Sequence, residues 1–348
     1  MTKTYLFGDP ISSSLSPAFQ NACYVARGTA STWTFERFES SDMDAFMQLV
    51  HRGDCGGSAV TMPNKSAVLN RMEIKDVEKQ AKLIGAANTL YWRQKGEDRE
   101  LVATNVSRRR IVLERDPEML TLKLLGLSLQ TDVAGIRDSI LTQASTSELA
   151  AFEALPRSQR SGLVIGGGGT TRTAVITLRI DLKCTGPIYI INRFAHEVEA
   201  IISDFAAKGI TDIHHLKTPQ EAESLSVRPA FIVNAIPSFQ PTTDEERLGR
   251  RTLEAVLALS CSPKFKQDRL PRAFLEMCYF PHVWTDVCTF AKEQGWNVVT
   301  GEECMYLQGV AQQLLWAGQP PPGVDLREQG RKGALAEQER RAKGLPPL

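Results

Sequence analysis

The sequence holds no run near the roughly 18 consecutive apolar residues that a membrane helix needs, so a helical membrane protein is not expected. Its seven cysteines, Cys23, Cys55, Cys184, Cys261, Cys278, Cys288 and Cys304, include no CxxC pair and no histidine at zinc-ligand spacing. Neither a disulfide framework nor a metal site is expected, and the thiols read as reduced and intracellular. An excess of one charge is also missing. The formal net charge is +1, with no global bias toward nucleic acid or an anionic membrane surface. No internal repeat is evident. The opening "MTKTYLFGDP" passes directly into strand-like sequence, which makes the cytoplasm the expected compartment and small molecules the expected partners.

What is present is globular. Hydrophobic residues make up 42% and charged residues 23% of a chain of 348, which suits two domains of roughly 100–200 residues each. "TYLFGDP" reads as a strand ended by a turn, and "SPAFQNACYVARG" as a helix with Ser16 as N-cap, Pro17 at the first helical position and Gly28 at its end. "STWTFERFE" alternates as a strand, "SDMDAFMQLVHRG" reads as a capped helix, and "GGSAVTMP" is a strand stopped by proline. This β-α-β-α-β rhythm implies a parallel sheet. A helix over 76–84, strands over 88–92 and 101–104, a helix over 133–143 and a polar connector, "SELAAFEALPRSQRSG", follow. A second alternating α/β unit begins at "GLVIGGGG" and continues through "PIYIIN" and "PAFIVNAIP". Beyond "AGQPPPG" the chain is proline-rich and then charged, and reads as a mobile tail.

The most explicit motif is "GLVIGGGGTTRTAVITL": an apolar strand, then Gly166, Gly167, Gly168 and Gly169, then a helix opened by Thr170 and Thr171. Glycines let the backbone approach a pyrophosphate, which would rest on free N–H groups at the positive helix end. Strand, glycines and helix in this order favour a dinucleotide site over a plain turn. At the end of the next strand, Asn192 and Arg193 stand where NAD enzymes place an acid. Arg193 suits a 2′-phosphate or adenine stacking, whereas Glu197 would repel that phosphate. The choice between NAD and NADP stays open on these residues.

Three stretches of the first domain put hydroxyl, amide and cationic groups at strand ends: "ISSSLSP", "AVTMPNK" and "GAANTLY". Singly, the serines read as caps and the lysine as solvated. Together, Ser14, Ser16, Thr61, Lys65 and Asn88 offer a polyhydroxylated ligand several donors from strand ends, where open α/β sheets bind ligands.

On these motifs the chain resembles the shikimate/quinate dehydrogenase family, over nearly its whole length to about Gly318. The family's serine pair before proline matches Ser14 to Pro17, its threonine-x-proline-x-lysine matches Thr61 to Lys65, and its Gly-Ala-x-Asn-Thr matches Gly85 to Thr89. Its cofactor loop matches Gly166 to Gly169. Its Asn-Arg-Thr becomes Asn192, Arg193 and Phe194, with Glu197 where NADP-dependent members usually carry a second basic residue. "VNAIPS" resembles the stretch lining the nicotinamide side, Ala235 and Pro237 included. "LEMCYFP" resembles the tyrosine turn that would place Tyr279 near substrate and nicotinamide, and "GEECMYLQG" supplies Gly301 and Gln308, the glutamine as a substrate ligand.

The resemblance implies a two-domain α/β fold. A substrate-binding and catalytic domain spans 1–131, a Rossmann-type NAD(P)-binding domain spans 132–301, a C-terminal helix over 302–318 returns to the first domain, and 319–348 form the tail. It implies an active site in the cleft between the domains. It also implies that Lys65 and the aspartate of an Asn-Thr-Asp turn, Asp132, share the catalytic proton transfer, with Gly166, Gly168, Gly169, Thr170, Asn192, Arg193, Ala235, Pro237 and Gly301 on the cofactor. Fungal stand-alone members tilt the expectation toward quinate and NAD. An NADP-dependent shikimate dehydrogenase is the alternative enzyme, and a non-catalytic sensor of the quinate pathway is the alternative outside catalysis. No nucleic acid or membrane partner is expected, and monomer and homodimer are both open.

One departure stands out. The catalytic turn should read "ATNTDVAG", but residues 106–130 separate Asn105 from Thr131 and Asp132. An aspartate must be held within about half an ångström to work, so this is a poor place for a natural loop. Translated backward, "VS", "LT" and the final Gln130 are compatible with the donor, branch and acceptor signals of a short intron, and the segment keeps the reading frame. The expectation is an unspliced intron. The alternative is a genuine excursion, which loop closure tolerates because its entropic cost grows slowly with length.

Overall fold

The computed structural model describes residues 1–105, 132–279 and 282–346, with the side chain of residue 132 excluded. Apolar runs cut by turns give β1 (Thr2–Gly8), α1 (Ser16–Ala26), β2 (Trp33–Glu39), α2 (Met43–Val50) and β3 (Cys55–Val60). Asp42 starts α2 by accepting hydrogen bonds from the amides of Asp44 and Ala45. Next come β4 (Asp76–Val77), α3 (Lys79–Ile84), β5 (Thr89–Lys95) and β6 (Asp98–Thr104). After the undescribed residues the chain continues with α4 (Asp132–Leu141), α5 (Thr146–Ala154), β7 (Gly162–Ile165), α6 (Gly169–Ile176), β8 (Ile188–Ile191), α7 (Ala195–Ala207) and β9 (Ile213–His215). It ends with α8 (Pro219–Glu223), β10 (Phe231–Asn234), α9 (Asp244–Ala258), β11 (Ala273–Glu276), α10 (Asp286–Glu293), β12 (Asn297–Thr300), α11 (Gly301–Ala317) and α12 (Leu326–Ala342).

Contacts divide the chain into two units, Met1–Ala134 with Met305–Leu348, and Gly135–Cys304. The first holds a sheet ordered β2-β1-β3-β5-β6-β4. β1 pairs in parallel with both β2 and β3, as the alternating rhythm implies. β5 runs antiparallel to β3 and β6, so the sheet is mixed rather than wholly parallel. The cause is local: only Gly96 and Glu97 separate β5 from β6, and a parallel crossover needs a dozen residues or more. The expected helix over 76–84 begins late because Asp76 and Val77 first pair with β6. Phe7, Phe46, Val60 and Leu90 fill one face of this sheet. Leu6, Tyr24, Phe35 and Trp316 fill the other.

The second unit is a wholly parallel sheet ordered β12-β11-β10-β7-β8-β9. Its central strands are buried on both faces, which is why "LVI", "YII" and "FIV" read as unbroken apolar runs. The stretch expected as a polar connector contains α5, started by a capping box in which Ser145 and Glu148 satisfy each other's backbone amides.

The C-terminal residues differ most from expectation. Instead of a mobile tail, α12 packs on α1. Its buried residues Leu326, Gly330, Ala334 and Glu337 fall on one face at helical spacing. A Cβ at Gly330 would collide with the Phe19 ring, so the two helices meet at close range only because none is there. No described helix is long and apolar enough to cross a membrane, and all seven cysteines are free thiols.

Candidate functional site

In the second unit β7 ends at Ile165 and α6 starts at Gly169, leaving Gly166, Gly167 and Gly168 as the link. Gly166 has φ +130°, which L side chains rarely adopt, and a Cβ there would lie 2.8 Å from Thr171 Oγ1 and 3.2 Å from Ala235 O. No side chain caps the start of α6, and a Cβ on Gly168 or Gly169 would meet nothing within 4 Å. Thr171 Oγ1 is buried without a hydrogen-bond partner among the described residues. An open approach, uncapped first-turn amides and the positive helix end fit a pyrophosphate, with Thr170 in that first turn.

Asn192 follows β8, and its Nδ2 donates to Glu197 Oε2 at 2.6 Å and to Phe194 O at 3.1 Å. Glu197 lies in the first turn of α7, and a Cβ on Gly167 would collide with its carboxylate. The carboxylate therefore rests against the glycine loop itself. Arg193 forms an ion pair with Glu246, and its guanidinium lies 4.6 Å from the centroid of the Phe194 ring. Backbone amides of Thr242 and Thr243 hold the Glu246 carboxyl down to about 2.

β10 ends at Asn234, and Ala235 N donates to Ile165 O at 2.8 Å, so the start of the 235–237 stretch lies along the glycine loop while Pro237 is exposed. β11 ends at Glu276, a fully buried carboxyl. Glu276 accepts from Cys278 N at 3.0 Å, Asn234 Nδ2 at 2.8 Å and Thr285 Oγ1 at 3.1 Å. Burial pushes this carboxyl up to about 7 despite those donors. A Cβ on Gly301 would collide with Met277 O, which fixes the start of α11 against the turn leading to half-buried Tyr279. Sequence reasoning passed over Glu276, although an acid closing the apolar run "AFLE" was a signal.

In the first unit the candidate substrate residues come from neighbouring strand ends. Ser14 lies between β1 and α1, and Ser16 is the first residue of α1. Leu15, already in a helical conformation, is the N-cap, and no side chain caps the helix. The expected capping role of Ser16 is thereby corrected: it sits inside the first turn, and its own amide donates to Ser14 Oγ at 3.2 Å. Thr61 N donates to Phe7 O at 2.8 Å and Asp9 N to Met62 O at 3.0 Å, tying the proline loop to the end of β1. Lys65 O accepts from Ala87 N at 2.7 Å, Asn88 N donates to Thr104 O at 3.1 Å, and Asn88 O accepts from Val60 N at 2.7 Å. Asn105 Nδ2 donates to Ala86 O at 3.2 Å. These bonds bring Lys65, Asn88 and Asn105 together at one end of the neighbouring strands β3, β5 and β6.

Gln308 is half-buried on α11. One turn further, Gln312 Nε2 donates to Thr89 Oγ1 at 3.1 Å, and Thr89 Oγ1 donates to Asn88 Oδ1 at 2.9 Å. Gln312 Oε1 accepts from Gln20 Nε2 at 3.1 Å. This buried amide chain fixes the Asn88 side chain from behind, and no local pattern announces it. Asp132 begins α4, but its side chain and the turn at 106–131, with the suspected intron, lie outside the described residues.

Residues 6–90 match the family description "Shikimate dehydrogenase substrate binding domain". The chain is 32% identical to a quinate dehydrogenase of Emericella nidulans over 328 residues, covering 90% of this chain and 87% of that protein. It is 29% identical to a pentafunctional AROM polypeptide of Kluyveromyces lactis, of which it spans 17%. A structure of quinate dehydrogenase from Corynebacterium glutamicum in complex with NAD shares the fold, with TM-score 0.66, 19% identity and coverage of 96% of this chain and 99% of that one. A structure of shikimate 5-dehydrogenase from Thermus thermophilus in complex with NADP(H) and shikimate aligns with TM-score 0.61, 21% identity and coverage of 96% and 100%. Serine loop, proline–lysine loop and glycine loop sit on a fold and a sequence shared with these enzymes, and the chain belongs to the shikimate/quinate dehydrogenase family.

Proposed function

We propose that the protein is an NAD(P)-dependent oxidoreductase interconverting quinate or shikimate with its 3-dehydro form, with quinate and NAD as the preferred pair. The observation that carries this reading is the glycine loop opening onto α6, with the Glu197 carboxylate resting against it. The bound nicotinamide supplies the hydride acceptor. Lys65 and Asp132 would share the proton transfer from the reacting secondary hydroxyl, a role typically worth about 10²–10⁴-fold in rate. Ser14, Ser16, Thr61, Asn88, Tyr279 and Gln308 hold the polyol acid.

Glu197 and Glu246 support NAD. A carboxylate at Glu197 can accept a hydrogen bond from a ribose hydroxyl but repels a 2′-phosphate, and Glu246 already neutralises Arg193, the cation such a phosphate would need. Replacing both acids, Glu197→Gln with Glu246→Gln, should narrow the ratio of NADP to NAD dissociation constants, measured by calorimetry, by about tenfold. An unchanged ratio removes these acids from cofactor choice.

The functional test is the purified chain with quinate or shikimate and NAD or NADP, followed for reduced nicotinamide. Turnover led by quinate with NAD is expected. Insertion of residues 106–130 into the catalytic turn favours a second reading, a sensor of the same ligands. Binding without turnover, in this chain and in one lacking the insert, would establish it.

A further inference from the structure

The serine loop is held from three sides. Glu39 Oε1 accepts from Ile11 N at 2.7 Å and from Ser12 N at 3.1 Å. Arg37 Nη2, reaching over from β2, donates to Ser14 O at 3.2 Å. The third support comes from the far end of the chain, where Arg341 donates through Nη1 to Ser13 O at 2.7 Å and through Nη2 to Ser14 O at 3.1 Å.

Arg341 is aimed by its own helix. Its Nε donates to Glu337 Oε1 at 2.7 Å, and Glu337 is only 1% exposed and also accepts from Arg340 Nε at 3.1 Å. The guanidinium thus spends one donor on a buried carboxylate behind it and two on consecutive loop carbonyls in front, a fork that a lysine cannot reproduce. α12 reaches the loop because it lies antiparallel to α1. Cys23 Sγ donates to Leu326 O at 3.3 Å near the start of α12, Phe19 lies against Gly330, and the last turn of α12 meets the residues just before α1. Neither arginine contributes to the core. Arg37 Nε is buried without a hydrogen-bond partner among the described residues, and burial and then the charge of Arg341 lower the affinity of Arg37 for its proton.

We propose that the C-terminal helix is part of the substrate site: Arg341 is a positioning residue that, with Arg37, fixes the carbonyls of Ser13 and Ser14 and so aims the hydroxyls of Ser14 and Ser16 at the polyol acid. The proposal rests on the functional reading above for its ligand. It assigns a role in substrate affinity to residues beyond Gly318, where the family motifs end.

The test is Arg341→Ala and Arg341→Lys in the full chain. Arg341→Ala should raise KM for quinate about tenfold, the loss expected from charge-assisted hydrogen bonds to two carbonyls, and leave kcat and the NAD dissociation constant within about twofold. Arg341→Lys should recover part of the affinity. Unchanged KM in Arg341→Ala, including a fall in apparent kcat that only tracks the folded fraction, would overturn the proposal. Hydrogen exchange of the Ser14 and Ser16 amides, read without any ligand, stands apart from the functional reading. Faster exchange in Arg341→Ala at unchanged melting temperature supports the clamp even if the parent binds neither quinate nor shikimate. Unchanged exchange sinks it.

Discussion

Three donors converge on the buried carboxyl of Glu276, yet burial outweighs them and lifts it from 4.5 to about 7. A folded-state value above the unfolded one means that the folded chain binds this proton more tightly. The stability it contributes is full below about 4.5 and is lost as pH rises through about 7, a swing on the order of 3 kcal/mol. Glu276→Gln has no proton to lose there. Its melting temperature should therefore gain on the parent's between pH about 4.5 and about 7, and parallel curves would contradict this assignment. The site matters beyond stability because Glu276 links the ends of β10 and β11 to the start of α10, directly before the Tyr279 turn.

Among the elements, α12 depends on the smallest side chains. Phe19 lies between Gly309 of α11 and Gly330 of α12. Gly330→Leu should force the helices apart and cost about 1–3 kcal/mol, read as a lower urea midpoint, and an unchanged midpoint would mean that α12 is not docked this way. The same packing explains why this helix was not legible in the sequence. Glycine and alanine at the contact carry little hydropathy signal, and the exposed face is charged, so average composition read as a tail. The parallel strands were legible because "LVI", "YII" and "FIV" are buried on both faces. The glycine loop, the serine pair and the proline–lysine loop were legible because each is a local pattern. The Gln20–Gln312–Thr89 chain and the reach of Arg341 to Ser13 were not, because each joins residues far apart in sequence.

At the scale of the whole molecule, two sheets of different construction divide the work. The mixed sheet carries the serine, lysine and asparagine loops at the ends of its strands, and the parallel sheet carries the glycine loop with the Glu197 carboxylate against it. Between Asn105 and Asp132 the sequence carries residues 106–130, at the point where the family pattern requires an uninterrupted turn. Sequencing the transcript should show most reads without the corresponding bases. Reads that retain them throughout would make the segment a true part of the protein.

The proposed reaction is oxidation of a cyclic polyol acid through Lys65. Its most direct test is the rate of reduced nicotinamide formation from quinate and NAD by the chain lacking residues 106–130, with and without Lys65→Met. Turnover should exceed that of the uncut chain, and replacing Lys65 should lower it about 10²–10⁴-fold. Equal rates with and without Lys65, or no turnover of quinate or shikimate with either cofactor, would contradict it.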